Sequence, residues 1–228
     1  MPIYNGIEFI DESVGSILSQ TYTDWELLIG INGHPENSDV YQIAKKYETK
    51  DPRIKVYDFP HLKGKSPTLN HMVSLCDVKS DYISLLDVDD AWGKYKLEVQ
   101  SKYMGANEID ANEIDAYDVI GTKCIYFGDM NGIVPDLPLG HINKFNFYKF
   151  NPIINSSAVI RKELCYWQHE WNGVEDYDLW LTLWKKGKRF YNCDKILVKH
   201  RIHNTSAFNA KGNNLKVSDL LKKHMTPH

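Results

Sequence analysis

Three carboxylates, Asp87, Asp89 and Asp90, crowd into four positions directly after the apolar run 82–86, Tyr-Ile-Ser-Leu-Leu. Like charges this close repel one another, so the cluster costs stability unless something positive sits against it. A metal ion, a bound cationic partner and plain solvation at a loop tip are the three readings open to these residues. A second acidic group, Glu175, Asp176 and Asp178, opens a segment that ends in Lys185 and Lys186. Acids in a first turn and lysines in a last turn match a helix dipole, which by itself accounts for their presence.

The elements that must position these groups follow from hydrophobic periodicity. Residues 8–21 carry an apolar stripe at Phe9, Ile10, Val14, Ile17 and Leu18, the spacing of a helix. Residues 25–31 predict a buried strand, followed by a turn-rich loop. A helix over 40–49, a strand over 53–59 and a helix over 66–76 come next, the last with Pro67 near its start. The strand 81–87 then leads into the acidic cluster. This β-α-β-α-β rhythm predicts an α/β fold with a doubly wound, mostly parallel sheet, whose ligands sit at the C-terminal ends of strands. The cluster lies at such an end.

Further on, a helix is expected over 94–104, and the tandem ANEIDANEID at 106–115 reads as a helix extension or surface insertion. Strands over 117–127 and 156–161 bracket a Gly/Pro/Asn-rich stretch at 128–152, of the length that compact domains keep for function or motion. The segment from Glu175 reads as a helix stopped by Gly187, and the polar tail from about 209 as loose.

A chain of 228 residues is most simply one domain with a proper core. Its net charge of −3 makes no electrostatic case for nucleic acid, and no polybasic block points to an anionic membrane. No apolar run is long enough to span a bilayer, and the N-terminus lacks a signal-peptide core, so a cytoplasmic location is expected. Cys76, Cys124, Cys165 and Cys193 are far apart and read as reduced, structural thiols.

Two simple readings of the acidic cluster fail or fit poorly. As a calcium loop counted from Asp87, Glu98 falls at the twelfth position, but Ala91 cannot ligate and the required glycine is Trp92. A haloacid-dehalogenase-like phosphohydrolase places its D-x-D after the first strand and a Thr or Val where Ala91 stands. The ordered series PIYNG, SQTYTDWELLI, DPRIKVY, KGKSPTLN, DYISLLDVDDAW, INSSAVIRKEL, GVEDYDLWL and HRIHNTSAF instead resembles family 2 glycosyltransferases of the GT-A fold, over the chain to about Phe208.

That resemblance implies roles. Asp89 would ligate a divalent metal, Mn²⁺ or Mg²⁺, bridging the donor's diphosphate, and Asp87 would contact the ribose or support the metal; hard oxygen ligands suit both ions. His203 aligns with a metal-binding His, with His200 the weaker candidate, and Asp90 would cap the next segment. Glu175 and Asp176 match the family's acidic pair, in which Asp176 would be the general base; Asp178 reads as structural. Tyr4 would pack near the nucleotide base, with Pro2 and Asn5 in the same substrate-binding block, and Lys65 and Asn70 would face the nucleotide, Lys65 either pairing with a phosphate or being a surface lysine. Asn32 replaces a base-recognising Asp, and an amide suits uracil or thymine better than guanine. The implied partners are a UDP- or dTDP-sugar donor and a glycan, lipid-linked or protein acceptor, with inversion at the sugar.

The same resemblance divides the single domain 1–228 into a nucleotide-binding half, 1–104, an acceptor or catalytic half, 116–208, and the polar tail, 209–228. One departure is large. The family's apolar first strand precedes a Tyr-Asn pair, whereas this sequence opens Met-Pro-Ile-Tyr-Asn, so that strand is expected to be missing or truncated. Together with Asn32, this supports a rival reading as a non-catalytic nucleotide-sugar binding module. The D-x-D, the acidic pair and the C-terminal His support an enzyme.

Overall fold

A computed structural model describes residues 1–105, 116–204 and 213–226. The duplicated segment 106–115 lies outside the described residues. In chain order the elements begin with strand β1 (Pro2–Ile3), helix α1 (Ile10–Leu18) and strand β2 (Leu27–Asn32). Helix α2 (Asp39–Lys45), strand β3 (Ile54–Phe59), helix α3 (Lys65–Leu75) and strand β4 (Tyr82–Ser84) follow. The periodicities show why. Ile10, Val14 and Ile17 form the buried face of α1, every residue of β2 is buried, and Ser38 caps α2 by accepting from the Tyr41 amide.

Strand β5 (Ala91–Trp92), helix α4 (Lys96–Ser101), strand β6 (Val119–Gly128), strand β7 (Gly140–His141) and strand β8 (Val159–Arg161) carry the chain onward. Helix α5 (Glu175–Lys185), the long strand β9 (Phe190–Ile202) and helix α6 (Asn213–Met225) complete it. Gly187 ends the α5 segment in a left-handed turn (φ +72°), which a side chain would strain.

Two sheets result. β1, β2 and β3 are parallel, in that order. The second sheet runs β4-β8-β6-β9-β5 with β7 on β9, and its β6–β9 pair is parallel while β4, β5 and β7 join antiparallel. β9 was not foreseen, because its pattern of buried and exposed residues is broken by Asp194, Lys195 and Ile196. One core underlies the parallel sheet, built on Ile3, Val14, Ile29, Ile31 and Val56. A second, aromatic core joins the mixed sheet to α5 and α6 through Phe147, Trp180, Phe190 and Leu220.

The first strand is present and short. Pro2 and Ile3 pair with Gly30 and Ile31, and Met1 extends the ladder: its α-amine donates to the Leu28 carbonyl and its carbonyl accepts from Gly30. Beyond Met1 a cavity of about 870 Å³ opens between Leu27 and Leu28 of β2 and the residues of β4. The tail expected to be loose is a docked helix over Asn213–Met225, because Leu220 is fully buried and His224 meets Asp178 of α5.

Candidate active site

β4 and the buried Leu85 and Leu86 deliver the acidic loop to one wall of a cleft of about 1460 Å³. The start of α5 delivers Glu175 and Asp176 to the opposite wall, and the residues after β1 close the far end. Pro2, Tyr4, Asn5, Asn32, Lys65, Asp87, Asp89, Glu175, Asp176 and His203 all line this one cleft. Asn70 does not. Its amide donates to the Trp167 carbonyl and accepts from the Trp167 amide, so it fastens α3 to the loop before α5.

The structure shows how the crowded carboxylates are tolerated. Lys65, at the first position of α3, reaches between the two acidic groups: its Nζ lies 2.5 Å from Asp87 and 3.7 Å from Glu175. Asp87 also accepts from the Asn155 amide at 2.9 Å. Asp89 Oδ2 stands 3.0 Å from His203 Nε2. Asp90 is buried and does not cap the next segment. It meets His200 Nδ1 at 3.0 Å and accepts from the Arg201 amide at 2.8 Å. Arg201 donates to the Asp89 carbonyl, ion-pairs with Glu12 and lies over the rings of Phe9 and Phe127. The end of β9 and the residue after it are thus laced onto the acidic loop by His200, Arg201 and His203.

These environments set proton affinities apart. Burial acts to raise the Asp87 carboxyl, but Lys65 and Asn155 more than offset it and hold it below the usual carboxylate range. Lys65 is correspondingly raised, since Asp87 and Glu175 outweigh its own desolvation. Asp89 is raised by burial and by the charges of Asp90 and Asp87, the condition a cation would relieve. Asp176 is pushed up to about 6 by burial and by Glu175. Asn151 donates to Asp176 at 3.0 Å, while Glu175 turns back to accept from the Gly173 amide.

At the other end, the Tyr4 ring is more than half exposed and lies 5.2 Å from the His34 ring, whose Nε2 contacts the Tyr4 carbonyl at 2.6 Å. Gly33 (φ +72°) lets the chain pass under Tyr4; a Cβ there would lie 3.3 Å from the ring. Asn32 is buried beneath.

Three residues that sequence reasoning passed over matter here. Asn151 and Asn155 orient the two key carboxylates; Asn151 lies in the Asn-rich run around 143–155, whose composition was its only signal, and Asn155 lies in the INSSAVIRKEL block, where the sequence reading gives it no role. His34 shows no periodicity or spacing that would mark it.

The cleft lies at strand ends, with an acidic, lysine-bridged wall and a raised carboxyl, the place where open α/β folds bind their ligands. The chain belongs to glycosyl transferase family 2, whose family model matches residues 1–165. It is 31% identical to the O-antigen biosynthesis glycosyltransferase WbnJ of Escherichia coli, over 90% of this chain and 79% of that protein. It is 30% identical to the E. coli UDP-Glc:alpha-D-GlcNAc-diphosphoundecaprenol beta-1,3-glucosyltransferase WfgD, over 95% of this chain and 81% of that one.

The fold matches that of Staphylococcus aureus TarS 1–349 in complex with UDP-GlcNAc (TM-score 0.72, 18% identity), covering 98% of this chain and 64% of that one. It also matches the mannosyltransferase PcManGT of Pyrobaculum calidifontis in complex with GDP-Man and Mn²⁺ (TM-score 0.67, 12% identity), over 98% and 61% of the two chains. The protein therefore has the GT-A glycosyltransferase fold and is a glycosyltransferase. Among the described residues no helix is long and apolar enough to cross a membrane.

Proposed function

We propose that the protein transfers a sugar from a UDP- or dTDP-sugar to a hydroxyl of a glycan, lipid-linked or protein acceptor, with inversion and with the help of a divalent metal. The observation that carries this reading is Lys65, which joins the low-pKa Asp87 to the start of α5 within one cleft. Nucleotide and acceptor ends are then a few ångströms apart yet chemically distinct. Tyr4, Asn5 and Asn32 hold the base; the amide of Asn32 can accept from a uracil N–H and donate to its carbonyl.

The residues fit a metal. Asp89 Oδ2 and His203 Nε2 are 3.0 Å apart, a hard oxygen and an imidazole that together suit Mn²⁺ or Mg²⁺. Among the described residues no third His, Cys, Asp or Glu converges with them, so diphosphate oxygens and water would complete the shell. When bound, the ion neutralises charge on the leaving diphosphate. Asp176 takes the proton of the acceptor hydroxyl as that oxygen attacks the anomeric carbon from the face opposite the diphosphate. Asn151 holds the carboxylate in place, and the Lys65 ammonium balances charge at the donor end.

The test is calorimetric titration of UDP with Mn²⁺ and then with EDTA, alongside nucleotide release from UDP-, dTDP- and GDP-sugars. UDP affinity should fall about 10- to 100-fold on chelation, and Asp89→Ala should behave like the chelated protein while remaining folded. Equal affinity under both conditions would remove the metal role of Asp89. Tight binding without release from any donor and acceptor would leave a binding module.

A further inference from the structure

Three stretches distant in sequence meet on the face next to the Asp176 end of the cleft. Tyr148 and Lys185 both donate to the His224 carbonyl, at 3.1 and 2.8 Å. Trp184 donates to the Asn143 carbonyl, and Asn143 in turn donates to the Lys188 carbonyl. The loop 143–150 and the C-terminal ends of α5 and α6 are thereby one surface. It carries Lys144, Lys149, Lys186, Lys188, Lys222 and Lys223, all exposed or half-exposed. Three acidic partners answer them: Glu170, 2.7 Å from Lys223, Asp178, 3.8 Å from the same lysine and itself held by His224, and Asp219, 3.2 Å from Lys222. Phe150 (42% exposed) and Met225 (58% exposed) stand among these lysines.

The protein as a whole is acidic, with a net charge of −3, so this face is a local reversal and no reflection of average composition. Phe150 belongs both to it and to the lining of the cleft, and the neighbouring Asn151 holds Asp176.

We propose that this face seats the protein on an anionic lipid bilayer, with Phe150 and Met225 entering the headgroup layer and the acceptor end of the cleft turned toward the membrane. The orientation rests on Asp176 marking the acceptor end; the docking itself does not. Lysines near an anionic leaflet each add attraction, and exposed apolar side chains between them add burial that a purely ionic contact lacks. That mixture favours lipid over nucleic acid, which would call for a groove-filling element or a stacking platform.

The experiment is co-sedimentation of the full chain with vesicles of equal parts phosphatidylglycerol and phosphatidylcholine, and with pure phosphatidylcholine, at low and high salt. UDP affinity is measured in parallel as the control for folding. Binding should require phosphatidylglycerol and weaken with salt. Each of Lys144→Ala, Lys186→Ala and Lys222→Ala should weaken it about fivefold, and the triple variant by about the product. Met225→Ser should weaken it with charge unchanged. Absence of binding to the anionic vesicles, or a triple variant that partitions like the parent while UDP affinity holds, overturns the proposal. Tighter retention by a short DNA duplex than by the vesicles at the same salt also overturns it. Vesicle binding needs no turnover, so loss of transfer with partitioning intact counts against the proposed reaction alone.

Discussion

Asp87 and Asp176 are the same side chain, both sit at the end of a regular element, both feel the Lys65 ammonium, and their carboxyls move in opposite directions. Asp87 touches Lys65 and Asn155 directly, and two strong partners outweigh its burial. Among the described residues Asp176 has only Asn151 as a side-chain donor, and Glu175 is an unfavourable neighbour, so burial dominates and its carboxyl rises to about 6. The difference teaches that partner count, and not residue type or burial alone, separates an anion kept for charge from a carboxylate poised to take a proton. Asp178 makes a third case: one helical turn-fraction further on, it is buried against His224 and serves docking of α6.

The largest expected effect breaks the comparison at the base. Asp176→Asn keeps shape and hydrogen-bonding reach but cannot accept a proton, so turnover at saturating donor should drop roughly 10²–10⁴-fold with UDP affinity unchanged. Glu175→Gln should cost less. Wild-type turnover in Asp176→Asn would pass the role to Glu175, and a parallel loss of UDP affinity would assign the acidic pair to the donor end. The same variant should melt higher than the parent at pH 8. Asp176 binds its proton more tightly folded, at about 6, than at its ordinary 3.8, so ionising it costs stability as pH rises through that window.

A smaller effect sharpens the comparison through Lys65. A base must be ionised to act, so turnover should fall about tenfold per pH unit below an acid limb near 6. Lys65 lowers the Asp176 carboxyl, so Lys65→Met should shift that limb to higher pH. The pH profile of the single variant decides it, and an unmoved limb would mean that the two walls of the cleft are electrostatically independent.

The smallest effect concerns the short β1. An apolar extension of about six residues ahead of Met1 would add ladder bonds to β2 and fill the cavity beside β4, raising Tm by several degrees. It would also turn the buried Met1 amine, whose affinity for a proton is depressed to about 5 by desolvation, into an amide. An amine with a lowered folded pKa loses stability as pH falls from about 8 toward 5, so the gain should be larger at pH 6 than at pH 8.5. Equal or lower Tm in thermal melts at both values would show that the cavity is not a strand site.

Much of the scaffold could be read from local pattern. The alternation from α1 to β4 appears where periodicity places it, and the acidic loop, Glu175 and Asp176 stand at element ends as expected. β9 escaped because its burial pattern is interrupted, and α6 because its polar composition hides the stripe of Val217, Leu220 and Leu221. Asn70 misled because a side chain amide near a helix start looks the same whether it meets a ligand or, as here, the Trp167 backbone.

By itself the sequence determined which residue types stand at which element ends, since helix and strand periodicity and capping act over a few residues. Tertiary structure alone decided the pairings. Asp89 meets His203 across 114 residues, Lys65 joins Asp87 to Glu175, and lysines from the 143–150 loop, α5 and α6 gather on one face although no basic block exists in the chain. Those distances depend on strand register and helix docking summed over the whole fold, and charge interactions that fall off within about 10 Å cannot be placed until the fold closes.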